Sequence, residues 1–382
     1  MFFAPDDIDV ALAVLSREFA RTAAEHDRSG AFPFANIARL RETGLHALVV
    51  PRAHGGKGQG LFAAHRAVNA VARGEASTGL VLAQQYLFHG AIAGNADFPP
   101  ALRDKIFRSA VESGAFANNL RVEPDLGTPL RGGVPATVAR RVPGGWSLSG
   151  RKIFATGSPV LAWNAIWAGT DEPTPRIGPF LVPAGTPGLR IEETWRQLGM
   201  RASGSHDVIL DNVFIPEDHA GDILPQAQRK PDAVQMAWLC VLFATVYDGV
   251  ARAARDWLVH FLNTRKPSNL GAPLASLPRM QEAVGQIESA LYASRVQLEN
   301  IAARVDRGET PSPQESSYAK QNSNQLVLTA VSKALEVSGN PGLSQDNPLE
   351  RHYRDALCAR VHSPQGDTVW IAGGREALAG AL

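Results

Sequence analysis

The chain changes character twice along its 382 residues, and that double switch limits its fold more than any single motif. From Asp6 to about Ser113 the apolar spacing is helical. Ile8, Leu12, Leu15, Phe19 and Ala23 recur at intervals of three and four, and Gly30 follows as a stop. A second helix fits Phe34 to Thr43 and ends at Gly44. From about Ala115 to Pro225 the pattern becomes short strands punctuated by proline and glycine. Ala136 to Val142 and Trp146 to Ala155 flank Pro143-Gly144-Gly145, a hairpin signal, and Ala165 to Ala168, Gly178 to Val182, Leu189 to Glu193 and His206 to Phe214 follow as strands. After Pro231-Asp232 long helices return. Val284, Ile287, Leu291, Leu298, Ile301 and Val305 form one stripe, interrupted by Ser294. A further helix spans roughly Glu315 to Val337 and stops at Gly339, and the last starts near Pro348. The reading is an α+β chain of three parts: an N-terminal helical domain over 1–114, a β domain (a small barrel) over 115–230, and a C-terminal four-helix-bundle domain over 231–382.

The formal charge of +1, from 38 basic and 37 acidic side chains, gives no field suited to nucleic acid or an anionic membrane. Cys240 and Cys358 have no metal-binding or disulfide spacing and read as buried thiols in a reducing cytoplasm. The acidic N-terminus is unlike a signal peptide. Ala76 to Ala96 is uncharged and nearly membrane-length, but Gln84, Gln85, His89 and Asn95 would be costly in lipid, so a buried helix is expected. A cytoplasmic protein with no membrane or nucleic-acid partner follows.

Two stretches invite a ligand reading. Gly56-Lys57-Gly58-Gln59-Gly60 follows an apolar run, but its spacing is GxGxG rather than GxGxxG and a proline intervenes; it reads as a loop. The strand Gly150 to Ser158 places Phe154 and Thr156 two apart, hence on one face, where a ring and a hydroxyl could cover a flat heteroaromatic ligand. An ordinary half-buried strand explains the same residues.

A set of landmarks then runs in order along nearly the whole chain: Phe32-Pro33, Gly44-Leu45, Val50-Pro51, Gly55-Gly56-Lys57-Gly58, Glu123-Pro124-Asp125-Leu126-Gly127-Thr128, Gly150-x-Lys152-x-Phe154-x-Thr156, Leu198-Gly199-Met200-Arg201-Ala202-Ser203, Asp211 to Pro216, Gly339 to Gly342, and Glu350 to Ala356. Together they resemble the acyl-CoA dehydrogenase superfamily. The resemblance implies a flavin between the β domain and the bundle. Phe154 and Thr156 would lie against its ring system, with Thr128 nearby, Ser158 and Gly339 completing the cofactor-binding set, and Arg265 serving the adenosine diphosphate part across a subunit boundary. It also implies a homo-oligomer, a homotetramer or homodimer. The aromatic that usually follows the arginine is missing, since Lys266-Pro267-Ser268 stands there, and Glu336 replaces a usual glutamine. FAD and FMN both stay open.

The family's chemistry needs a carboxylate base of raised pKa beside the flavin. Counting from Arg354-Asp355, His362-Ser363-Pro364-Gln365 stands where the resemblance puts that glutamate, with Ser363 in its place; the earlier position used by a minority branch matches Val259. A second branch, resembling dibenzothiophene monooxygenase, receives reduced flavin and uses oxygen in a dry pocket, which calls for hydrogen-bond donors rather than a strong base. The candidate catalytic residues are therefore His362, Ser363 and His89, with Thr156 as a further donor. The preferred expectation is a two-component monooxygenase acting on a small molecule and served by a separate flavin reductase. An acyl-CoA dehydrogenase with a non-standard base, acting on an acyl thioester, is the alternative, and a non-enzymatic binding relative is the third.

Overall fold

In the computed structural model, residues 5–125 and 133–380 are described. The N-terminal part is helical: α1 Pro5–Ala20, α2 Ala23–Ser29, α3 Phe34–Glu42, α4 Leu61–Gly74, α5 Ala76–Gly94 and α6 Pro100–Ser113. The expected first helix is broken at Arg21-Thr22, yet Leu12, Leu15, Phe19 and Ala23 are all buried, and Gly30 ends α2 in the left-handed region. The glycine-rich run is a loop. Gly60 precedes α4 because a Cβ there would lie 2.3 Å from Asp306 Oδ1. That carboxylate accepts from the backbone N–H of Leu61 (2.7 Å) and Phe62 (2.9 Å), so the helix N-terminus is already occupied by an anion from the chain itself.

The middle of the chain supplies β1 Phe116–Leu120, β2 Val138–Val142, β3 Gly145–Ala155, β4 Leu161–Thr170, β5 Arg176–Pro183, β6 Leu189–Glu192, β7 His206–Pro216 and the short β8 Leu224–Pro225. They form one eight-stranded mixed sheet in the order β6-β7-β3-β2-β4-β5-β8, with β1 added parallel to β4. β1 and β8 escaped the sequence reading. β1 is almost wholly buried and therefore lacks the alternation that marks a half-exposed strand.

The C-terminal part comprises α7 Ala233–Thr264, α8 Pro278–Asp306, α9 Pro313–Ser338, the single turn α10 Asn340–Leu343, α11 Leu349–Leu357 and α12 Gly366–Ala379. α12 corrects the expectation that the helix near Pro348 is the last. It docks on α9 through Trp370 stacked on Tyr318, with ring centroids 5.9 Å apart. By length and composition α7 could cross a bilayer, but 67% of its most apolar window is buried inside the protein. It is the central helix of the bundle. The polar break in the α8 stripe has a cause: buried Ser294 donates to Asp248 Oδ1 (2.7 Å) and lies 2.7 Å from Ser323 Oγ. Asp248 also accepts from Asn69 and Arg252, so α4, α7, α8 and α9 share one satisfied polar knot.

Candidate functional site

The β-side of the site is built on the end of β3. Its pairing with β7 slips between Lys152 and Ala155, and Phe154 takes a φ of 59°. This slip overturns the expectation that Phe154 and Thr156 share a face, because alternation holds only in a regular strand. Phe154 is 51% exposed, whereas Thr156 turns inward and is buried. A bulky side chain in the left-handed region costs about 1–2 kcal/mol, and such strain concentrates at ligand sites. Thr156 joins a hydroxyl cluster: its Oγ1 lies 2.9 Å from Ser205 Oγ, which lies 2.7 Å from Ser203 Oγ, while Ser158 Oγ donates to the Gly204 carbonyl (2.8 Å).

A buried ion pair fixes this strand to the segment that follows β1. Lys152 Nζ donates to Glu123 Oε1 (2.6 Å), and Glu123 also accepts from the backbone N–H groups of Ala136 (2.7 Å) and Thr137 (3.0 Å) and from the Thr137 hydroxyl. Burial opposes the charge on Glu123, but the bonds from Lys152 and Thr137 outweigh it and hold the carboxyl below its usual range. Thr128, expected near the flavin on this segment, lies outside the described residues.

The exposed ring is tied to the bundle by a chain of contacts. Phe154 meets Trp195 edge-on at 6.1 Å, and Trp195 Nε1 donates to the Met200 carbonyl (2.9 Å). Met200, itself at a φ of 54°, donates its N–H to Asp355 Oδ1 (2.6 Å). Burial raises the Asp355 pKa to about 7 against the opposing pull of that N–H. Next to it, Arg354 bonds Asp27, Glu350 and the Leu198 carbonyl. The Arg-Asp pair is thus the junction of all three parts of the chain.

On the bundle side His362 stacks on Phe243 (4.4 Å, 21° between ring planes) and tilts toward Tyr247 at 5.6 Å. Burial, with Lys320 adding to it, pushes its pKa down to about 3, so the ring is neutral at physiological pH. The Tyr247 hydroxyl is buried and finds no hydrogen-bond partner among the described residues. Ser363 joins Pro364 through a cis peptide bond. His89 sits elsewhere: it is fully buried between Phe88 (5.7 Å) and Phe107 (5.8 Å), both ring nitrogens without a hydrogen-bond partner among the described residues, its pKa pushed down to about 3 by burial. Its ring neighbours lie on α5 and α6 and those of His362 on α7, so the two histidines share none. Arg265 is exposed at the end of α7, and Gly339 closes α9 with a φ of 63°. Val259, the alternative base position, is a half-buried residue of α7.

Sequence reasoning missed Phe243, Tyr247, Trp195 and Lys320. Lys320 left a trace: Ser316, Ser317, Lys320, Gln321, Ser323 and Asn324 make a run of α9 too polar for a bundle core, yet all are buried.

Residues 8–97 match the acyl-CoA dehydrogenase N-terminal domain, 122–213 its middle domain and 241–364 its C-terminal domain. The chain is a member of the acyl-CoA dehydrogenase family of oxidoreductase enzymes. It is 34% identical over 362 residues to YdbM of Bacillus subtilis, whose acyl-CoA dehydrogenase name is itself provisional, covering 93% of this chain and 92% of that protein. Among solved structures it resembles KijD3 in complex with FMN and a dTDP-linked amino keto-sugar (30% identity, TM-score 0.85, 97% of this chain and 92% of that one). The dibenzothiophene monooxygenase TdsC from Paenibacillus sp. A11-2 shares the fold at 22% identity (TM-score 0.82, 95% of each chain).

Proposed function

We propose that this protein is a flavin-dependent monooxygenase acting on a small molecule, with reduced flavin delivered by a separate reductase. The observation that carries the reading is His362. The residue in the neighbourhood of the family's base is a neutral imidazole stacked on Phe243, and a base whose conjugate acid has a pKa of about 3 abstracts a weakly acidic proton poorly at neutral pH. As a neutral donor it suits oxygen chemistry instead.

The residues present fit a flat heteroaromatic cofactor. Phe154 is held half-exposed by strained backbone two residues before Thr156, whose hydroxyl joins those of Ser203 and Ser205; a flavin would cover the ring and meet the hydroxyls. Bound flavin supplies the redox chemistry, taking a hydride in dehydrogenation or activating oxygen in hydroxylation. Phe154 would hold one face of the ring, Thr156 and Ser158 its polar edge, and Phe243 and Tyr247 would exclude water around His362. The presence of FMN in KijD3 supports FMN over FAD here, as does the absence of an aromatic after Arg265. The exposed Arg265 fits a role across a subunit boundary in a homodimer or homotetramer, and the reductase partnership belongs in the cytoplasm.

A second reading, dehydrogenation of an acyl thioester, is favoured by the likeness to YdbM. Anaerobic mixing of flavin-loaded protein with a panel of acyl-CoA thioesters separates the two. Bleaching of the flavin absorbance refutes the monooxygenase. No bleaching, followed by a transient absorbance change distinct from simple reoxidation when the reduced complex meets oxygen, supports it.

A further inference from the structure

Lys320 is 1% exposed, and among the described residues no carboxylate lies within ion-pair distance of it. Burying an ammonium without a counter-charge is costly, and a glutamine or methionine would fill the same helix position without that cost. What the ammonium does is donate to two main-chain carbonyls, those of His362 (2.9 Å) and Pro364 (3.1 Å). Neighbours on the same helix face complete the grip: Gln321 Nε2 donates to the Pro364 carbonyl (2.6 Å) and Asn324 Nδ2 to the Ala359 carbonyl (3.0 Å). Among the described residues the turn from 359 to 364 makes no backbone pairing with another regular element, so these side chains of α9 fix where the His362 ring goes. Phe243 of α7 takes the ring's face, and Lys320 is the charged group that bears on it.

We propose that Lys320 is a positioning residue for His362: its buried, uncompensated ammonium clamps the 359–364 turn through two carbonyls and keeps a positive charge beside the imidazole. The charge adds to burial in keeping the ring from taking up a proton, and the clamp keeps it stacked on Phe243. The inference rests on the reading that His362 works as a neutral donor at the flavin site, but the clamp itself can be tested without any activity.

The test uses the full-length protein with Lys320→Met, which removes the charge and the donors but keeps the volume. Histidine C2 hydrogen–deuterium exchange followed by mass spectrometry reads the titration of His362, and amide exchange of the peptide spanning 359–365 reads the turn. The expected result is a His362 midpoint higher by about one pH unit or more, because a nearby like charge in a low-dielectric site is removed, with amide exchange about tenfold faster. An unchanged midpoint together with unchanged amide exchange overturns the proposal. If Lys320→Met does not fold, Lys320→Gln, which loses the charge and keeps one donor, carries the same test: a raised midpoint supports the proposal and an unchanged one overturns it. Flavin-coupled turnover, measured in parallel, separates the two levels. A shifted midpoint with unaltered turnover leaves the clamp standing and removes His362 from the chemistry; lost turnover with an unmoved midpoint and turn removes Lys320 from its assigned role and leaves the function untouched.

Discussion

Replacing Lys152 with methionine tests how the ligand strand is held. The side chain is fully buried and its ammonium ends on Glu123, which is also buried and accepts from Ala136 and Thr137 as well. Methionine keeps the volume but strands the carboxylate, and breaking a buried pair from one side costs about 3–5 kcal/mol. For 382 residues the unfolding entropy is about 0.8 kcal/mol/K, so the melting temperature falls by about 4–6 °C. The pH dependence sets this apart from a packing defect. In the wild type the Glu123 pKa is depressed, so its contribution is present above the unfolded value and is lost as pH falls through the folded one. Without Lys152 burial dominates, the carboxyl is held as an unpaired anion at neutral pH, and the defect shrinks as pH falls toward the unfolded glutamate value of about 4.3. Glu123→Gln combined with Lys152→Met recovers at least about 1.5 kcal/mol relative to the sum of the single variants. Calorimetry at pH 4.5 and 7.5 on the three variants decides the matter. A Lys152→Met cost below about 1 kcal/mol, or one that is flat with pH, refutes the reasoning.

Two further outcomes are expected. Asp355 has a pKa raised to about 7, so its contribution to stability is fully present below its unfolded value and is lost as pH rises through 7. Asp355→Asn removes that dependence, and its stability relative to wild type improves by on the order of 2–4 kcal/mol between pH 4 and pH 7, measured by urea titration; a constant difference would sink the assignment. Phe154→Gly relieves the left-handed backbone and removes a half-exposed ring, so stability stays level or rises by about 1 kcal/mol while flavin affinity drops at least about tenfold. Flavin fluorescence titration checks the second part, and an unchanged affinity removes Phe154 from the site.

Most of the scaffold was legible in the residues. The three-four stripe of α8 and the Gly30 stop of α2 were read from spacing alone, because an amphipathic helix writes its buried face into its period. What escaped had physical reasons. β1 is buried on both faces and so has no alternation. α12 carries Gly366, Gly373 and Gly374, which weaken any helical reading; Gly373 is there because a Cβ would fall 1.7 Å from the Tyr318 hydroxyl, a partner unknowable from local sequence. At the site, the same-face argument for Phe154 and Thr156 failed on a register slip imposed by β7, a tertiary effect. The family pattern points to His362 by position, but its neutral ring depends first on burial among side chains such as Phe243 of α7 and then on the charge of Lys320 from α9. The Ser312-x-x-Glu315 capping box at the start of α9 was in plain view and would have set that boundary.

The Arg354-Asp355 junction also bears on modularity. Gly199 packs so closely on α11 that a Cβ would lie 2.5 Å from the Arg354 carbonyl, Met200 is bent into the left-handed region to reach Asp355, and Arg354 crosses to Asp27 on α2. Three stretches that look separable along the chain therefore all meet at this dipeptide, in addition to the links that join the N-terminal helices to the bundle. They are not cassettes that can be exchanged one at a time: a middle segment brought in from a relative must carry a 198–200 bend cut to fit this particular α11. Nor can the β part swing away as a lid without breaking the key.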